Sequence, residues 1–277
     1  MTLVLSWIAE DSRKPSSTYI MTDSRISWDI KMEEGKSEKI ESNWDYGRKI
    51  FAFKNYPDII GYCGDVLFPT QVISKAVDIL DSGQFYKKGY DFEDRVEVIK
   101  SFIKKQLDDY PDLVKQGFTI LIAGRKIDNH VFRRFILSWQ RDSWKEKYVD
   151  EDTDAIFDSS IILGSGREYF KKFYNNKYYD SELHNFSRGA ATSFSDALTQ
   201  DNLEERCGGA PQIVAVYNGG MPKIIGTVFK SKRYLLGSEI NTPINLDSFQ
   251  WRDESFQRIK GDKLELIEDA QVQPPLQ

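Results

Sequence analysis

Short apolar runs separated by turn chemistry open the chain, and longer stretches of helical period follow. Leu3 to Ala9 and Thr18 to Thr22 are two β-rich runs, joined by a segment holding Asp11, Ser12, Pro15, Ser16 and Ser17, which predicts a hairpin with a long tip. From Ile26 to Arg48 the sequence is polar and charged, carries Gly35 and Gly47 and has little periodicity. It reads as a loop or an insertion of weak order. Ile50 to Phe53 and Ile59 to Cys63 then flank Lys54-Asn55-Tyr56-Pro57-Asp58, a turn sequence that predicts a second hairpin.

The period changes after residue 65. Val66, Val72, Ile73, Ala76, Val77 and Leu80 recur near every 3.6 residues, as do Val96, Ile99, Ile103 and Leu107. Two amphipathic helices are predicted, over Val66 to Leu80 and Phe92 to Leu107. Strands return at Phe118 to Ala123, Phe132 to Trp139 and Ser160 to Leu163, helices at Arg167 to Tyr174 and Ala190 to Leu203, and strands again at Gln212 to Tyr217, Lys223 to Phe229 and Tyr234 to Gly237.

Four strands, two helices, three strands, two helices and final strands do not alternate as a doubly wound sheet requires. Two antiparallel sheets flanked by helix pairs bury every apolar face in one domain, over residues 1–240. Residues 241–277 form a polar extension ending in QVQPPLQ, expected to fray.

Composition narrows the functional classes. The 277 residues are 40% hydrophobic and 29% charged, with a net charge of -5, so nothing draws the chain toward a phosphate backbone and no nucleic-acid partner is expected. The apolar run at Leu3 to Ala9 is far short of the roughly 20 residues of a membrane span and has no cleavage site behind it. The expectation is a soluble cytoplasmic protein without a membrane partner. Cys63 and Cys207 are too few and too distant for a disulfide framework or zinc site, and His130 and His184 have no ligand-spaced neighbours. No metal or cofactor is expected.

With histidine chemistry so limited, the N-terminus is the more informative place. Thr2 is small enough to let an aminopeptidase remove Met1. The exposed α-amine, with an unperturbed pKa of about 7.7–8.0, then accepts the proton of the threonine hydroxyl. Asp23-Ser24-Arg25 ends the second strand, bringing Asp23 back beside Thr2. Lys49 opens the third, where its ammonium can pair with Asp23. Gly64 closes Gly61-Tyr62-Cys63-Gly64 and leaves its N–H open to a bound carbonyl.

The order and spacing of Thr2, Asp23-Ser24-Arg25, Lys49-Ile50 and Cys63-Gly64 resemble the proteasome β-subunit family of N-terminal nucleophile hydrolases, especially its bacterial branch of HslV and Anbu. The resemblance runs to about Gly226. It includes IILGSG at Ile161 to Gly166, where Ser165 matches the family's active-site serine, and EERCGG at Glu204 to Gly209. In the latter, Glu204 replaces an Asp and Cys207 replaces a Ser. Glu keeps the charge with a longer reach, and Cys is the poorer donor.

The resemblance implies an α+β fold, a four-layer αββα sandwich, and a threonine-type endopeptidase with Thr2, Asp23, Lys49, Gly64, Ser165, Glu204 and Cys207 at its centre. Arg25 and Tyr62 are expected to shape the substrate pocket. It also implies a homo-oligomeric ring, a peptide or unfolded-protein substrate, and an ATP-dependent unfoldase as partner. The alternatives are an amidase of the same fold acting on a small molecule, and a non-catalytic ring or scaffold subunit.

Overall fold

Strands β1 (Leu3–Asp11) and β2 (Lys14–Thr22) form the expected hairpin, with Val4 opposite Thr22 and Trp7 opposite Tyr19. The computed structural model describes residues 2–11, 14–30, 39–87, 89–128, 131–149, 157–184, 186–241, 246–268 and 270. The hairpin's long tip is largely strand. Pro15 lies within β2 opposite Glu10, just past a register shift after Ala9, the kind of irregularity at which a strand tolerates proline.

The segment expected to be weakly ordered contains a hairpin of its own, β3 (Ile26–Ile30) and β4 (Lys39–Trp44), with Ile26 opposite Trp44. Its polar composition hid the pairing. Residues 31–38 of that segment, and His130, lie outside the described residues. Strands β5 (Ile50–Ala52) and β6 (Asp58–Gly64) follow, then helices α1 (Leu67–Leu80) and α2 (Phe92–Asp108), close to the predicted bounds.

Strands β7 (Phe118–Arg125), β8 (Phe132–Gln140) and β9 (Ser143–Val149) complete a sheet in the order β5-β6-β7-β8-β9. Strand β9 was not foreseen. It returns from β8 through Arg141 and Asp142, with φ of 48° and 59°. This two-residue turn needs the left-handed region twice, yet lacks the Asn-Gly signature that announces it.

Strand β10 (Ile161–Gly164), helices α3 (Arg167–Lys177) and α4 (Ser187–Ala197), and strands β11 (Gln212–Tyr217), β12 (Lys223–Phe229), β13 (Lys232–Leu235) and β14 (Ser238–Glu239) follow. Helix α4 starts earlier and stops earlier than Ala190 to Leu203. Beyond Ala197, the side chains of Thr199 and Gln200 turn back to the Asp196 carbonyl at 2.7 and 3.0 Å, competing with helix continuation. The other sheet has the order β10-β1-β2-β11-β12-β13-β14, so the N-terminal strand lies inside it.

The C-terminal expectation is corrected. Strand β15 (Gln250–Arg252) pairs in parallel with β12 and antiparallel with β16 (Arg258–Ile259). Trp251, only 2% exposed, packs with Val228, Leu246 and Ile259 and donates its indole N–H to the Leu246 carbonyl at 2.7 Å. Gly226 and Gly261 press on its ring. One buried indole therefore ties a largely polar segment to the sheet. Residues 246–259 are part of the folded body, and residues 271–277 lie outside the described residues.

Period-2 alternation sorts the strand residues into separate clusters. Leu3, Leu5 and Trp7 pack with Phe170 and Phe194 of α3 and α4. Ile60 and Tyr62 pack with Ile73 and Ile99 of α1 and α2. Val4, Ile8, Ile20, Ile59, Cys63 and Leu121 join the two sheets. Arg95 of α2 is fully buried and grips the Asp58 carboxylate on β6 through two hydrogen bonds of 2.6 and 2.9 Å.

Arg95→Leu alone is expected to lower stability by about 3–5 kcal/mol in urea unfolding, because it strands a buried carboxylate. Asp58→Leu added to it should recover most of that loss, and a double variant as unstable as the sum would refute the coupling. Burial also pushes the Cys63 thiol up to about 12. The folded chain keeps this proton where the unfolded chain loses it, above an ordinary value of about 8.5, so its contribution to stability is full below that pH and declines above it. Between pH 9 and about 11, Cys63→Ala should lose stability less steeply than the parent by about 1.4 kcal/mol per pH unit. Equal slopes in urea titrations would contradict this.

Candidate functional site

The site starts from strand alternation. Val4 and Ile8 face the layer between the sheets, so Thr2, two residues before Val4, takes the same side. Thr2 is completely buried, and its Oγ1 has no hydrogen-bond partner among the described residues. A buried hydroxyl left unpaired costs free energy and invites a functional explanation. Gly164 pairs with Leu3 and has a φ of 96°, and a Cβ there would overlap the Thr2 carbonyl. The end of β10 thus approaches Thr2 as closely as backbone permits.

Asp23, directly after β2, is the centre of the cluster. Its Oδ1 accepts from the Leu3 N–H at 3.0 Å and the Lys49 Nζ at 2.9 Å; its Oδ2 accepts from the Gly208 N–H at 3.0 Å and the Arg25 N–H at 3.3 Å. Four donors occupy the lone-pair sites of one carboxylate. Neither Asp23 nor Lys49 is exposed at all. One carboxylate therefore fixes the amide next to Thr2, the ammonium of Lys49 and the loop before β11.

That loop carries the second group. Glu204 Oε2 accepts from the Ser165 hydroxyl at 2.8 Å and from the Cys207 thiol at 3.3 Å, and Ser165 Oγ lies 3.9 Å from Cys207 Sγ. Burial, then the neighbouring Asp23 and Glu204 carboxylates, push the Cys207 thiol well above its ordinary range. It is a neutral donor to Glu204 and not a thiolate. One Glu204 oxygen therefore serves both partners.

Arg25 lies on the outer side. Its guanidinium pairs with Asp45 through two bonds of 2.7 and 3.0 Å, and Nη1 donates to the Glu205 and Cys207 carbonyls at 3.0 and 3.2 Å. It helps line a cleft of about 580 Å³ with Tyr46, Gln200, Phe229 and Tyr234. Tyr62 is placed elsewhere. It is buried against α1, with its hydroxyl 3.1 Å from the Arg48 carbonyl and 2.6 Å from Thr70 Oγ1. Strand alternation turns Tyr62 to the helix side of β6, so the expectation that it shapes a substrate pocket is corrected. Gly64 ends β6 beside Cys63, with a φ of 99° and the Gly117 carbonyl where a Cβ would be.

Two contributors were missed in the sequence. Asp45 sits in the polar hairpin segment that gave no periodic signal. Gln212 heads the otherwise apolar strand QIVAVY, and a polar residue at that buried position was its available signal. His184 shares a hydrogen bond with the Tyr174 hydroxyl at 3.1 Å, a structural contact. Among the described residues, no group of three or more His, Cys, Asp or Glu side chains converges as a metal site, and no helix is long and apolar enough to cross a membrane.

No protein-family model matches the sequence, and no curated protein does. Solved structures do match in fold. An Anbu mutant from Hyphomicrobium sp. strain MC1 superposes with a TM-score of 0.51 at 12% identity, covering 86% of this chain and 89% of that one. Anbu, described as an ancestral beta-subunit, from Yersinia bercovieri gives 0.50 at 12% identity over 87% and 88%. The helical assembly of the Anbu complex from Pseudomonas aeruginosa gives 0.51 at 13% identity over 89% and 90%. The likeness is one of fold, and the fold is Anbu-like.

Proposed function

We propose that this chain is a threonine-type peptidase of the proteasome β-subunit kind, with its layers forming an αββα sandwich. The observation that carries the reading is the buried Thr2 hydroxyl, without a partner among the described residues and one residue from an amide held by the Lys49–Asp23 ion pair. In this reading Met1 is removed, Thr2 Oγ1 adds to a peptide carbonyl, and the new α-amine takes the hydroxyl proton. The amine then protonates the departing nitrogen as the C–N bond breaks. Water, activated by the same amine, releases the acyl group and restores the hydroxyl.

Other residues act by position and charge. The Gly64 N–H stabilises the oxyanion. Lys49 supplies fixed positive charge beside the nucleophile, and Asp23 holds it there. Ser165, Glu204 and Cys207 organise the amine and the attacking water, while Arg25 borders the substrate path. Peptides or unfolded segments are the substrates, copies of this chain assemble, and an ATP-driven unfoldase delivers protein. The assembled Anbu complex from Pseudomonas aeruginosa supports the oligomer. A second reading, a non-catalytic assembly subunit, rests on Cys207 standing at the position of a better hydrogen-bond donor.

Intact-mass analysis of untagged protein treated with a threonine-directed epoxyketone or β-lactone tests the proposal. The parent should lack Met1 and gain one adduct, and Thr2→Ala should gain none. Retained Met1 with no adduct would sink the peptidase reading in favour of the assembly subunit. Lys49→Ala, folded by circular dichroism, should form the adduct at least about 100-fold more slowly, the lower range for loss of one preorganised electrostatic group. An unchanged rate would remove Lys49 from the chemistry.

A further inference from the structure

The Lys49–Asp23 pair joins residues from different sheets. Asp23 follows β2, whereas Lys49 precedes β5. Their 2.9 Å contact therefore depends on the spacing of the two sheets at this end, and a side-chain ion pair cannot fix that spacing alone. Gln212, only 1% exposed, spans the gap.

Gln212 begins β11 and pairs in register with Thr22. Its Nε2 donates to the Asp23 carbonyl at 3.0 Å and to the Gly47 carbonyl at 2.8 Å, while its Oε1 accepts from the Lys49 N–H at 3.3 Å. Two acceptors and one donor face one amide, so only one orientation of that amide satisfies all three. Exchange of its ends would point oxygen at two carbonyl oxygens. The three contacts lie on the backbone of both segments, immediately beside the paired side chains. Gly237 and Ser24 pack close to this corner, and a Cβ on Gly237 would press on Ser24.

Resting on the peptidase reading above, the geometry points to Gln212 as the positioning residue of the site: it sets the sheet spacing at which Lys49 meets Asp23 beside Thr2. Glutamate has nearly the same shape but cannot donate through both required directions. It also adds negative charge beside Asp23 and Lys49, whose side chains meet at the Leu3 amide next to Thr2. Leucine fills similar volume and leaves three buried backbone groups without partners. The titratable groups around Lys49 are Asp23 after β2, Cys63 on β6 and Cys207 before β11. Tyr62, also on β6, turns its hydroxyl to the Arg48 carbonyl.

Two measurements on the full chain test this, with Gln212→Glu and Gln212→Leu. The first is the rate of epoxyketone adduct formation at Thr2 against pH. Gln212→Glu should slow it at least tenfold at pH 7 and move the midpoint of the pH–rate curve up by about one unit, since added negative charge favours the protonated amine. A loss by the same factor at every pH marks a folding residue only and overturns the proposal. The second is amide hydrogen exchange, which needs no activity. Gln212→Leu should raise exchange together in segments 20–27 and 46–53 and leave α1 and α3 at parent rates. A uniform rise, or none, overturns the proposal. If the parent forms no adduct, the peptidase reading fails and exchange alone decides whether Gln212 positions the pair.

Discussion

The carboxylate of Asp23 is the constraint on which the site depends. It is fully buried and accepts from four donors: two neighbouring backbone amides, a loop amide and an ammonium. A buried charge with fewer partners would be strongly destabilising, and one fully paired leaves its donors no freedom to reorient. The start of β1, the start of β5 and the loop before β11 are therefore fixed against a single pair of oxygen atoms. Preorganisation of this kind is what electrostatic catalysis requires, since no reorientation is needed as charge develops.

The surrounding fold serves that constraint through simple alternation. Odd positions of β1 carry Leu3, Leu5 and Trp7 to α3 and α4, and even positions carry Val4 and Ile8 to the other sheet. Each strand in the middle of the body is buried on both sides. Tyr62 and Cys63 show the consequence, because adjacent residues of β6 enter different cores. A resemblance of sequence spacing assigned Tyr62 to a pocket. The strand's two-residue period sends it to α1 instead.

Most of the architecture was legible from the chain because its apolar runs keep one period. The helices over Leu67–Leu80 and Phe92–Asp108, and β1, β6, β7, β8, β11 and β12, follow directly from spacing. What escaped carries its information elsewhere. The β3–β4 hairpin is polar, β9 begins after an Arg-Asp turn, and β15 is held by Trp251 against Gly226 and Val228, more than twenty residues away. At the site, charge and spacing singled out Asp23 and Lys49, and the family resemblance added Ser165 and Glu204; the fold gathers them into two hydrogen-bonded groups. Gln212 stayed hidden because its role is defined by three backbone atoms remote in sequence.

Thr2 leads into a strand held between β2 and β10. Its neighbours arrive in turn during synthesis: Asp23 and Lys49 early, Gly164 after the β5–β9 sheet is complete, and Gly208 only when three quarters of the chain exists. Domains form as their chains emerge from the ribosome. A nascent chain thus has no complete Asp23 cluster until β1 to β10 and all four helices have been made. The order of synthesis thus leaves the Asp23 carboxylate one donor short until the loop before β11 has emerged.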